Sequence, residues 1–135
     1  MVMTRVEYEG ELHCKLTHLD SGATFTTDAP KDNQGLGESF SPTDLVAGAL
    51  GSCILSVMGI LARTHNIDIR GATAEIEKEM ATSPVRMIAA LRVKVHVPQT
   101  LSEKHKSMLE RAAHTCPVHQ SLHPNIDAPI AFTWG

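Results

Sequence analysis

The feature that most constrains this chain is an uncharged run from Leu45 to Ala62, 18 residues without Asp, Glu, Lys or Arg in a chain of 135. Ser41-Pro42-Thr43-Asp44 stands directly before it. Serine as N-cap, proline at the first helical position and an acid three residues after the cap are helix-start chemistry. The run therefore predicts one long helix. A membrane span needs about 20 mostly apolar residues, and this stretch includes Gly48, Gly51, Ser52, Ser56 and Gly59. A helix buried inside a soluble domain fits better. Gly48, Ser52 and Ser56 recur at i, i+4 spacing, a stripe of small side chains that lets another backbone approach. A second helix is expected there, from this chain or from a partner copy.

The segments around the helix alternate with the period of strands. Val2, Thr4, Val6 and Tyr8 share one parity against Arg5, Glu7 and Glu9. After Gly10, Leu12, Cys14 and Leu16 continue the pattern, and an Asp20-Ser21-Gly22 turn leads to a short third strand at residues 23–27. Residues 28–41, with Pro30, Gly35 and Gly37, are expected to be a loop. Beyond the helix, Thr73, Glu75, Glu77 and Glu79 face Ala74, Ile76 and Met80. Across Thr82-Ser83-Pro84, one parity holds from Val85 through Met87, Ala89, Leu91, Val93 and Val95 to Val97.

A second helix is predicted from Ser102, with Leu101, His105, Met108, Leu109, Ala112 and Cys116 on one face. Pro117 ends it or opens a short new one. Ile126, Ala128, Ile130, Phe132 and Trp134 alternate in a closing strand. Strand groups flanking two separated helices describe an α+β fold, taken as a single domain over residues 1–135.

Composition excludes several functions. A formal charge of −3 and five scattered aromatic residues offer no surface for nucleic acid or an acidic membrane. Charges among the first ten residues stand where a signal peptide would be apolar. Three cysteines do not make a secreted disulfide framework, so a reducing cytoplasm is expected. There is no phosphate loop, no GxSxG, no HExxH and no CxxC.

The cysteines and histidines are then the candidates for chemistry. Cys53 lies mid-helix among small apolar residues, where ordinary core packing is the expected reading of the residue taken by itself and a thiol site the alternative. Cys116 precedes Pro117, and a helix beginning there would lower its pKa; packing explains it equally well. Cys14 shares the inward parity of its strand and is expected to be structural. His114, Cys116, His119 and His123 raise the question of zinc, but their spacing fits no standard finger, and no metal is expected.

Two segments taken together resemble a known family. Phe40-Ser-Pro-Thr-Asp-Leu-Val-Ala-Gly-Ala-Leu-Gly-Ser-Cys53 is similar to the helix opening of the OsmC/Ohr organic hydroperoxide reductases, and Cys116-Pro-Val-His-Gln-Ser-Leu122 to their second motif. The order of elements resembles that family over essentially the whole chain. The resemblance implies an intertwined homodimer and a two-cysteine peroxidase. Cys53 would attack an organic hydroperoxide, Cys116 would close a disulfide with it, and a lipoyl-type dithiol would reopen that bond, with no cofactor. It also implies an arginine beside the thiolate and a glutamate that orients it. Between Arg5 and Arg63 this chain has no arginine, only Lys15 and Lys31, and Thr43 with Asp44 stands at the glutamate position. Lys31 and Asp44 are the candidate supporting residues, although helix capping alone accounts for Asp44. A non-catalytic protein binding small ligands on the same scaffold is the alternative.

Overall fold

The computed structural model describes residues Met1–Gly135. Contacts along the chain divide it into two compact units, Met1–Val46 and Ala47–Gly135. The boundary falls inside the long helix, where no shift in composition marks it.

In the first unit, β1 (Thr4–Gly10), β2 (His13–His18) and β3 (Thr24–Asp28) form an antiparallel sheet in that order. Val6 pairs with Leu16 and Leu16 with Phe25, so one face carries an apolar row. The parity expected for β2 starts one residue too early. Glu11 and Leu12 both adopt positive φ in the tight turn, and Leu12 is exposed there. The Ser21-Gly22 turn forms as expected, with the Gly22 amide donating to the His18 carbonyl. The loop that follows contains one 3-10 turn at Lys31–Asn33. It folds back tightly enough that a Cβ at Gly35 would overlap the Ala29 carbonyl.

The helix start is as the sequence predicts. Asp44 N–H donates to Ser41 Oγ at 3.1 Å, and Ser41 N–H donates to Asp44 Oδ2 at 3.0 Å, a reciprocal capping box that opens α1 (Pro42–Thr64). The helix ends at Thr64 and is closed off by Asn66, whose positive φ lets the Ile67 amide reach the Ala62 carbonyl at 2.8 Å.

In the second unit, β4 (Thr73–Ala81) and β5 (Met87–Val97) pair antiparallel. β6 (Ile130–Trp134) joins the other edge of β5 in parallel, so this sheet is mixed rather than wholly antiparallel. A parallel partner needs a crossover connection. That connection is α2 (Glu103–Ala113), capped by Ser102, and the short α3 (Pro117–Ser121). The single parity expected along β5 breaks. A bulge opposite Glu79 and Met80 buries Ile88 and Ala90 in place of Met87 and Ala89, while Leu91, Val93, Val95 and Val97 keep the expected face. Val85 lies exposed before the strand, and the final strand begins at Ile130 instead of Ile126.

α1 is the one helix long and apolar enough to cross a membrane by length and composition. Leu50, Gly51, Ile54, Met58 and Ala62 form its buried stripe. Gly51 meets β4, where an added Cβ would press on Ile76 at 2.5 Å. Gly48, Ser52 and Ser56, the stripe expected to receive another helix, are exposed, as is Ile60.

Candidate functional site

Cys53 and Cys116 come together. Cys53 sits mid-way along α1 between the fully buried Leu50 and Ile54, itself half-buried. Cys116 is fully buried where the chain turns from α2 into α3. α2 brings it there by burying Leu109 and Ala113, and Pro117 forces the break that leaves Cys116 as the cap of the next helix. The two cysteines are close enough for Cys53 to act on the titration of Cys116, and neither is in a disulfide.

The electrostatics of Cys116 differ from the sequence expectation. A helix start was expected to lower its pKa. Instead burial raises it above the ordinary thiol value, and the neighbouring Cys53 pushes the same way. The amides of His119 and Val118 oppose this, with His119 N–H donating to Cys116 Sγ at 3.4 Å. A helix of one and a half turns supplies too little positive potential to offset a fully dry sulfur. Cys116 is thus held as a thiol beside Cys53.

The histidines around Cys116 do not gather as a metal site. His119 Nε2 lies 2.9 Å from the Ala128 carbonyl, and His123 Nδ1 accepts from the Asn125 amide at 3.0 Å. His114 packs edge-on against His119 with ring centroids 6.0 Å apart. His119, weighed in the sequence only as a metal ligand, fastens α3 to the segment before β6 while its amide contacts the sulfur.

The remaining candidates belong to the first unit. Asp44 takes part in the capping box. Lys31 is exposed in the 3-10 turn, with its aliphatic stem against Gly37. Cys14 lies on β2 opposite Tyr8 and Thr27. A second cluster, His13, Asp28 and Glu38, contains none of the residues the sequence patterns selected. Residue 28 falls in the expected loop, and no local pattern links it to His13 or Glu38.

An α+β frame carrying two juxtaposed free thiols, one on a buried helix and one at a helix cap, defines the class. Residues 35–130 match the family model for OsmC-like protein, and the chain belongs to that family. It is 43% identical to a solved Psychrobacter arcticus protein whose name refers to osmotic stress induction and detoxification response. That match has a TM-score of 0.93 and covers 98% of this chain and 96% of the other. It is 26% identical over 125 residues to an uncharacterized protein of Acinetobacter baylyi, covering 85% and 87% of the two chains. A Legionella pneumophila structure named as the organic hydroperoxide resistance protein OsmC shares the fold at 16% identity. Its TM-score is 0.79, with 98% and 96% coverage.

Proposed function

We propose that this protein is a thiol-dependent peroxidase that reduces organic hydroperoxides, with Cys53 as nucleophile and Cys116 as resolving thiol. The nearness of Cys53 to Cys116 carries this reading, because a resolving cysteine must reach the sulfur it resolves. The Cys53 thiolate attacks the terminal peroxide oxygen. An S–O bond forms, the O–O bond breaks, and the alkoxide leaves as the alcohol after taking a proton. Cys116 then attacks the sulfenic sulfur, a disulfide forms and water departs. A dithiol of lipoyl type reopens the disulfide by exchange and is itself oxidised. The raised pKa of Cys116 suits this order, since it keeps the second thiol protonated until Cys53 has been oxidised.

Lys31 and Asp44 are this chain's candidates for the family's supporting cation and acid. A lysine supplies a point charge where an arginine would supply a fork. The protein is proposed to act in the cytoplasm as a homodimer. The uncovered face of α1 and the exposed Val6, Tyr8, Phe25 and Phe40 support a partner copy.

The test is to treat reduced protein with an organic hydroperoxide and map thiols by mass spectrometry. A Cys53–Cys116 disulfide with free Cys14 is expected; survival of all three thiols in excess peroxide would sink the proposal. The second reading, a non-catalytic binding protein, draws on an open recess of about 540 Å³ lined by Phe25, Thr26, Ser39, Phe40 and Leu45. Turnover with dihydrolipoamide that disappears in Cys53→Ser excludes it.

A further inference from the structure

We propose that His13, Asp28 and Glu38 form a binding site for a divalent transition cation of the zinc class. The register of β2 against β3 sets His13 directly opposite Asp28, so the two side chains leave neighbouring positions on one face. Asp28 is almost wholly buried, and its two oxygens are treated differently. Oδ2 accepts the Glu38 amide at 2.9 Å. Oδ1 is buried with no hydrogen bond, although His13 Nε2 lies 3.3 Å away.

A buried carboxylate oxygen without a donor is costly and calls for a partner. The 3.3 Å separation is long for a charge-assisted hydrogen bond, which prefers about 2.7–2.9 Å. It is the spacing of two ligands on one tetrahedral ion, since bonds of about 2.0–2.1 Å at the tetrahedral angle place donor atoms about 3.3 Å apart. The third ligand is at hand. Donor atoms of His13, Asp28 and Glu38 all lie within 4.8 Å of one another.

The backbone holds this arrangement. The Glu38 amide fixes the Asp28 carboxylate so that Oδ1 faces His13. The loop can deliver Glu38 because Gly35 lies against the Ala29 carbonyl, where a side chain would collide. Two carboxylates crowded beside one imidazole repel one another, and a cation relieves that repulsion. An imidazole among oxygens selects zinc-like ions over magnesium or calcium. Three protein ligands leave a fourth position for water. Glu38 is exposed, so the ion enters from solvent. Bound there, it staples the loop after β3 to the β2–β3 hairpin.

The test is calorimetric titration of the metal-stripped, full-length protein with Zn²⁺ in a Cys53→Ser/Cys116→Ser background. Co²⁺ is loaded in parallel as a spectroscopic probe. One ion per chain is expected, with Co²⁺ d–d bands and no thiolate charge transfer. His13→Ala and Glu38→Gln are each expected to weaken binding at least about tenfold. Glu38 is an exposed loop residue, so its variant reports even where His13→Ala unfolds. Three results overturn the site: no uptake of millimolar zinc, thiolate bands in the cobalt spectrum, or equal affinity in wild type and Glu38→Gln. The first would leave His13 and Asp28 as a simple ion pair.

Discussion

The two units of this chain bury opposite kinds of residue. In Ala47–Gly135 the buried set is apolar: Leu50, Ile54, Met58, Leu91, the valines of β5, Leu109 and the thiol of Cys116. In Met1–Val46 the buried residues are Thr27, Asp28 and Ser41, all polar, while Val6, Tyr8, Leu12, Phe25, Leu36 and Phe40 stand exposed. One unit is held by a dry core. The other is held by a ladder, tight turns, a helix cap and a buried carboxylate. The difference separates two chemistries. The proposed thiol pair lies in the dry unit, and the proposed cation site lies in the other.

This contrast can be broken by measurement. The largest expected effect is on activity. Cys53→Ser should abolish hydroperoxide turnover, a fall on the order of 10³-fold or more, in a coupled dihydrolipoamide assay. Full activity in that variant would remove the chemistry from the dry unit. Leu109→Ala should lower unfolding stability by about 2–5 kcal/mol in denaturant titration, because Leu109 is fully buried. Ser41→Ala should cost about 1 kcal/mol, since it removes one half of the capping box.

A pH titration tests the state of Cys116. Its folded pKa lies above the value of 9.0 that it regains on unfolding, so below that range the thiol is protonated in both states. As pH rises past it, the unfolded chain releases a proton that the folded chain retains, and stability falls. Wild type should therefore lose stability at alkaline pH faster than Cys116→Ala, as followed by thermal melting. An identical pH slope in the two proteins would contradict the burial of that thiol. The smallest effect is expected in the first unit. Phe25→Ser should change monomer stability by less than about 0.5 kcal/mol while reducing the dimer fraction in sedimentation. If it costs as much as Leu109→Ala within one chain, the contrast between the units is wrong.

Much of the architecture was legible because its signals are local. The Ser41–Asp44 box, the apolar run after it, the alternation of β4 and the Ser102 cap each depend on residues a few positions apart, and each element formed where expected. The failures came where neighbours in space overruled the pattern. The β5 bulge shifts parity at Ile88, and Leu12 left its strand to make a turn. The parallel pairing of β6 was equally hidden, since alternation carries no strand direction.

The site divides along the same line. Two cysteines in two family-like segments could be picked out from the chain, as could the proline that follows Cys116 and opens α3. That the two cysteines are neighbours, and that burial raises the Cys116 pKa against a helix start, depends on how residues distant in sequence pack within Ala47–Gly135. His13, Asp28 and Glu38 are dispersed along the chain and meet through strand register and a folded-back loop. Periodicity and capping act over one or two turns and are written in neighbouring residues. Desolvation and juxtaposition depend on which distant surfaces meet, and only the packed chain sets them.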